Sequence, residues 1–511
     1  MKDRKYNNAK TENRILNELV RNKGNSFKNF ISLFFAFSLV SILAVSTYAI
    51  VKLPANALVF SLFAGLSILF ISFLVIKEFT QETIMIATLA IIGSFYFISC
   101  PFQMLPDENE HFLRAFEIST GHFFSKQLSS GQFGDILPKA LGTRTGLLDW
   151  NNRSEMSFTN TAMYSFINYF PQSLGIFLVR IFTKNVAIIY YAGRLCNFLC
   201  AFALCMFAIK KMPFAKKILF ITMLFPMTLQ EMISMAPDAL LNSLSFAFIA
   251  FVLHCAYRKE EIKQKDIVII GILLILIALC KIVYLGALFL IYLIPNEKIK
   301  DEKEKKLLKF GIPLIAILLN MSFLIISMRI LSSSKFYVTN SDEQIKFILL
   351  NPVRYILIFT KSVIYNAKRC IENCIGSSLG CYTIGNDSWL FFLVLVCYFT
   401  LTCNDIDVNI RKTDVIIYFL YVITEIGLIF SSEYIGYTAP GEPLISGVQG
   451  RYFIPLVGFF LIPIAYKNYF EHRSFGNMNS EKIQSSYLYI FGLVFNFYAL
   501  VKVLLFLQST R

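Results

Sequence analysis

Asp107, Glu108, Glu110, His111, Arg114 and Glu117 crowd into CPFQMLPDENEHFLRAFEISTGHFF, from Cys100 to Phe124, directly after a long apolar run. Pro106 suits the first turn of a helix, where its missing N–H has no partner in any case and its fixed φ is already helical. A helix from Pro106 sets Asp107, His111, Arg114 and Ile118 on one stripe and lets Glu110, Arg114 and Glu117 pair along the next. Acid, imidazole and cation together are equipment for proton transfer. Asp107 and Glu108 stand where a helix start favours the ionised form by about 0.3–1 kcal/mol, and either could serve as a general base. Capping at a water interface is the plain alternative for that pair. A histidine bonded to Asp107 is the plain alternative to a metal-ligating His111.

Other polar residues interrupt apolar sequence further on: Asp238 in SMAPDALLNS, Lys281 in LCKIVYLG, and Gln449, Arg451 and Tyr452 in GVQGRYFIPL. Arg451 offers a planar fork matched to phosphate, and Lys281 a point charge suited to the same anion. A carboxylate on one side and cations on the other can move a glycosyl group from a phosphate donor to a hydroxyl acceptor. The base takes the acceptor proton while the cations stabilise charge on the departing phosphate. Each group also has a simpler account: Asp238 caps a helix after Pro237, Lys281 snorkels to the headgroups, and Arg451 beside Tyr452 anchors the chain at an interface.

The elements that must position these residues are membrane helices. Of 511 residues, 56% are hydrophobic and only 16% charged, against about a quarter charged in soluble domains. Many apolar runs reach the roughly 18 residues that cross a bilayer as helix, and no alternating pattern suggests a barrel. The net charge of +15 collects in short loops between apolar runs, as the positive-inside rule requires, and lacks the aromatic platforms of nucleic-acid binding. The chain therefore reads as an all-α integral membrane protein with a polar cytoplasmic tail over 1–29 and a membrane domain over 30–507, its first helix retained as an anchor. Alternating the basic loops predicts about thirteen transmembrane helices and two long external loops, 103–184 and 332–387. The apolar runs include 218–235 and a short hairpin over 267–295 with its tip near Lys281. This topology sets all the unusual polar motifs on the outer face, where ionisable groups near lipid are costly and call for a shared reason. The scattered cysteines read as small hydrophobes, with Cys370, Cys374 and Cys381 the one polar cluster.

PDENEHFLRAFEISTGHF, APDALLNSLSF, LCKIVYLG and GVQGRYFIPL, in that order, resemble a bacterial family of multipass membrane proteins catalogued as a domain of unknown function, similar in layout to the GT-C glycosyltransferases. The resemblance spans about residues 95–465. It implies a GT-C-like enzyme of the bacterial cytoplasmic membrane, with its N-terminus cytoplasmic and its active face external. Such enzymes use polyprenyl-phosphate or polyprenyl-diphosphate sugars and carry an essential acid in the first long external loop, here Asp107 or Glu108. The implied partners are a polyprenyl-linked sugar donor, a cell-envelope glycan acceptor and membrane lipid, with no nucleic acid. Some relatives need a divalent cation, and no metal ligand is assigned here. His111 and Arg114 are expected to orient the base and Asp238 to position the acceptor or a metal. Lys281 and Arg451, with Gln449 and Tyr452 beside them, are expected to hold phosphate. The competing expectations are a transporter or flippase of a lipid-linked glycan, which needs polar groups continuing to the cytoplasmic side, and a polysaccharide polymerase or ligase.

Overall fold

The computed structural model describes residues 55–101, 105–143, 146–333, 341–380, 384–403, 406, 408–471 and 478–509. The expected cytoplasmic tail and the first apolar run, 30–51, lie outside the described residues. The chain divides into two compact units, Met1–Ile92 with Phe475–Arg511, and Gly93–Ser474.

In the first unit, α1 (Ala55–Ile76) is built from apolar residues almost without interruption, and α2 (Gln81–Ser99) becomes apolar after a polar first turn of Gln81, Glu82 and Thr83. The hydroxyl of Thr80 accepts from the Thr83 N–H at 3.3 Å and starts α2. The last helix of the chain, labelled below, completes this unit, with Phe60 meeting its Phe497 edge-on at 6.0 Å.

The second unit opens with the end of α2 and then α3 (Glu108–Ser119), almost every residue of which is buried. A small antiparallel sheet follows, with β1 (Lys126–Gln127), β2 (Phe133–Pro138) and β3 (Arg153–Ser157) in that order, Gly134 opposite Ser157 and Pro138 opposite Arg153. The segment expected as the first external loop thus carries its own fold. Phe112, Phe116, Leu137, Leu141 and Phe158 form its core together with Ile176 of α4 (Phe170–Val179) and Tyr190 of α5 (Val186–Lys211). At ten residues α4 is too short to cross lipid. Asn185 starts α5 by accepting from the N–H groups of Ala187 and Ile188.

The run 218–235 is not one continuous helix. It forms parts of α6 (Lys216–Met223) and α7 (Pro226–Met232), separated because Pro226 has no N–H to continue the ladder. Beyond them α8 (Asp238–Tyr257) is the most enclosed of the membrane-length helices among the described residues, 94% buried. The stretch 267–295 divides at Lys281, whose extended backbone (φ −151°, ψ 125°) separates α9 (Gln264–Cys280) from a 3-10 segment over Ile282–Leu293. A span over Glu302–Ile330 follows, most of it in α10 (Ile312–Ser333).

The segment expected as a second external loop holds two helices, α11 (Ser341–Leu350) and α12 (Pro352–Ile375), meeting at a 110° bend. Then come α13 (Ser388–Leu401), α14 (Lys412–Tyr437), a 3-10 turn over Gly450–Leu456 and α15 (Val457–Glu471). Finally α16 (Met478–Ser509) belongs to the first unit. The helices α8 and α14 run in opposite directions, for the Tyr257 hydroxyl at the end of α8 donates to Asp414 near the start of α14 at 2.8 Å.

Among the described residues six helices are long and apolar enough to cross a membrane, and seven spans result if the bent pair counts as one. The protein is an all-α membrane protein. The difference from thirteen lies partly in breaks at Pro226 and Lys281, which leave apolar sequence in pieces shorter than a span, and both breaks lie close to the groups described next.

Candidate functional site

Four charged side chains converge from four separate elements. Asp238 is the first residue of α8, Glu231 lies in the last turn of α7, Lys281 is the break after α9, and Arg451 belongs to the 3-10 turn. Arg451 Nη1 donates to Glu231 Oε1 at 3.1 Å, and its Nε lies 3.5 Å from Asp238 Oδ2. Lys281 Nζ approaches the other oxygen of Asp238 at 3.5 Å and stands 3.8 Å above the Tyr452 ring, a cation–π contact strengthened by its desolvation. One carboxylate therefore bridges two cations.

The chain's irregularities place these groups. At Lys281 and in the Gly450–Leu456 turn the backbone leaves the α-helix, so side chains project from points that a continuous helix would present to its neighbours differently. Gly450 lets the turn lie directly on the backbone of α12: a Cβ there would stand 2.5 Å from Cys374 N and strike the Cys370 carbonyl. The Tyr284 hydroxyl, donating to the Tyr452 carbonyl at 2.7 Å, ties the turn to the 3-10 segment. The side chains of Lys281 and Arg451 retain 15% and 12% exposure, whereas Glu231 retains 3%. All three are thus largely enclosed, Glu231 more deeply than the two cations.

A family model described as "Predicted membrane protein (DUF2142)" matches residues 139–460. The chain belongs to this family. The stretch that matches DUF2142 contains all four charged groups, and α3 precedes it. No curated protein and no solved structure matches the chain.

In this DUF2142 protein α3 brings some of its polar residues to the cluster and uses others elsewhere. His111 is buried, with Nδ1 2.8 Å from the Tyr169 hydroxyl. Burial first, and then the positive charge of Arg451, hold its imidazole down to about 3, so it is neutral at ordinary pH. The Tyr164 hydroxyl is pushed above its usual range by burial and then by the charge of Asp238. Asp107 is exposed just before α3, in a left-handed conformation (φ 54°) that aspartate tolerates, and makes no side-chain cap bond. Burial and the neighbouring charge of Asp107 raise Glu110 to about 7, against a hydrogen bond from Asn160.

Glu108 and Arg114 find partners outside the cluster, Arg114 in the pairing with Glu117 that the spacing along α3 allows. Glu108 is buried 3.8 Å from Arg194 of α5, beside Tyr190. Arg194 is itself fully buried and donates to the carbonyls of Cys100, at 2.7 Å, and Ile233. Arg114 pairs with Glu117 and donates to the Phe123 carbonyl at 2.8 Å and to Ser125 at 3.1 Å, so it fastens the loop after α3. The reason is geometric: α3 is enclosed on all sides, and each polar residue finds the partner on its own side. Gln449 is exposed and precedes the 3-10 turn without a side-chain cap bond.

Glu231, Arg194, Tyr164 and Tyr169 were not legible as site or frame residues. The readable signal for Glu231 and Arg194 was a charge inside an apolar run, costly unless paired. Glu433, near the end of α14, lies in the field of Lys281 and Arg451 and joins the same group. A divalent cation does not suit these donors. Each Asp238 oxygen faces a protein cation, and among the described residues no three His, Cys, Asp or Glu side chains come together as a metal site.

Proposed function

We propose that this protein is a GT-C-like glycosyltransferase of the bacterial cytoplasmic membrane, moving a sugar from a polyprenyl-phosphate-linked donor to a cell-envelope glycan on the outer face. About thirteen crossings, with the N-terminus cytoplasmic, belong to the same reading. The observation that carries it is the meeting of two cations, Lys281 and Arg451, on the single carboxylate of Asp238, with neutral His111 in their field and Asp107 exposed just before the helix that carries His111.

In this mechanism Asp107 takes the proton of the acceptor hydroxyl. The acceptor oxygen attacks the anomeric carbon from the face opposite the phosphate, and the bond from that carbon to the phosphate oxygen breaks with inversion. The electron pair leaves with the phosphate, whose charge Lys281 and Arg451 receive. An entering phosphate replaces Asp238 as partner of one cation, while Glu231 keeps Arg451 oriented. Glu108, tied to Arg194, supports the start of α3 and leaves Asp107 as the base.

The test compares envelope glycans and lipid-linked sugars in cells with and without the protein. Loss of one glycan substituent together with accumulation of its polyprenyl-linked donor is expected; unchanged glycans and donors overturn the assignment.

A second reading, a transporter or flippase of a lipid-linked glycan, has one observation in its favour. The buried face of α14 carries Asp414, Tyr418, Tyr421 and Glu425, while Ile416, Phe419, Leu420 and Ile423 are exposed. Polar groups thus continue along the helix away from the Asp238 cluster. Transport of labelled lipid-linked glycan across proteoliposomes, with no transfer to an acceptor, favours this reading.

A further inference from the structure

Glu425 is a carboxyl in the middle of a membrane-length helix. At 1.5 Å per residue it lies about 16 Å along α14 from Asp414 and about 12 Å from Glu433. It is fully buried. Its Oε1 accepts from the Ala287 N–H at 3.1 Å, and the Gly286 N–H also donates to the carboxylate. Its Oε2 is buried without a hydrogen-bond partner. Tyr421 on its own helix and Tyr284 on the 3-10 segment are its titratable neighbours. Among the described residues no Lys, Arg or His forms an ion pair with it.

The surroundings are built for this side chain. A Cβ on Gly286 would stand 2.9 Å from Oε1, so glycine is the residue that lets the carboxyl reach the two N–H groups. Those groups are available because the 3-10 segment, with Tyr284 at φ −96° and ψ 23°, does not continue an α-helical ladder. An isolated carboxylate in such a place costs several kcal/mol or more, and the inexpensive way to remove its charge is a bound proton. Two backbone donors satisfy one oxygen, and the other oxygen is left to carry that proton.

Hydroxyl-bearing residues share its face of α14. The Tyr257 hydroxyl donates to Asp414 at 2.8 Å and lies 3.1 Å from the Tyr418 hydroxyl. Tyr418, Tyr421 and Glu425 then follow at helical spacing on the buried face of α14. On the other side Tyr284, in the field of Glu425, bonds the backbone of Tyr452 in the Asp238 cluster.

We infer that Glu425 is an intramembrane proton-binding site, reached along the Asp414–Tyr418–Tyr421 stripe, whose occupancy is felt at Lys281 through the 3-10 segment. Lys281 directly precedes that segment, and Gly286 and Ala287 are its anchor on Glu425. Loss of the carboxylate charge weakens that anchor, since a charged acceptor holds N–H donors more strongly than a neutral one. The inference stands on α14 and the 3-10 segment alone and holds for a transferase or a transporter alike.

The experiment uses the full chain in membranes treated with N,N′-dicyclohexylcarbodiimide, which modifies protonated carboxyls in apolar surroundings, followed by peptide mass spectrometry. A Glu425 adduct severalfold stronger at acid than at alkaline pH is expected. Infrared difference spectra between the two pH values are then compared for wild type and Glu425→Gln. The glutamine amide oxygen still accepts from Gly286 and Ala287, so a purely structural Glu425 predicts identical spectra. A protonated-carboxyl band lost in the variant supports the site. An unlabelled Glu425, a pH-independent adduct, or superimposable spectra overturn it, and the labelling arm needs no variant to fold.

Discussion

Arg451 and Glu231 meet at 3.1 Å across 220 positions of sequence, with only 12% and 3% of their side chains exposed. Removing one partner of such a pair leaves a buried, uncompensated charge, a loss of about 3–5 kcal/mol. Arg451→Ala is therefore expected to destabilise the protein strongly, and more than Glu231→Gln, which keeps an acceptor for the guanidinium. A double-mutant cycle by denaturation in detergent should give a coupling energy of about 0.5–3 kcal/mol. Additive losses would show that the two do not interact.

Asp107 and Glu108 are neighbours with opposite surroundings, one exposed and the other buried against Arg194. Asp107→Asn is expected to lower sugar transfer by about a hundredfold or more, the scale of a general base, with membrane abundance unchanged. Glu108→Gln is expected to lower abundance and thermal stability first. Quantifying the envelope glycan and the protein in the same membranes separates the two effects.

Stability should respond to pH through α3 in two opposing ways. His111 is held down to about 3 from an ordinary 6.5, so the unfolded chain binds more protons between these values and stability is lost as pH falls through that window. Glu110 is raised to about 7 from an ordinary 4.5, so the folded chain binds more protons there and stability is lost as pH rises through its window. His111→Gln should flatten the acid-side loss and Glu110→Gln the loss toward neutrality, measured as melting temperature against pH in detergent.

Gly450→Ala places a methyl against backbone atoms of Cys370 and Cys374, which cannot rotate aside. The expected cost is about 1–3 kcal/mol, with displacement of the turn that carries Arg451. Loss of transfer should accompany the loss of stability. Gly458→Ala, at a glycine with open space around its Cβ, is the control that should change neither.

The helical membrane character was legible because hydropathy is a property of neighbouring residues, and lipid demands long apolar runs whatever their tertiary partners. For the same reason Asp238, Lys281 and Arg451 stood out: each is a charge in sequence that otherwise avoids charge. What hydropathy could not reveal is where an apolar run breaks. Pro226 interrupts α6 and α7, whereas Lys281 ends α9 within an apolar stretch whose composition alone does not require the change to a 3-10 segment. Nor could local spacing assign partners. Spacing along α3 allowed Arg114 to pair with Glu117, as it does, but not its bond to the Phe123 carbonyl in the following loop, nor Tyr169 as the partner of His111. The sequence by itself determined the class of protein and which charges were costly enough to need company. Only the tertiary structure decided which charge keeps which company across the chain, because a buried ion is settled by the few atoms within hydrogen-bonding reach, and in the Asp238 cluster those come from elements tens to hundreds of residues apart.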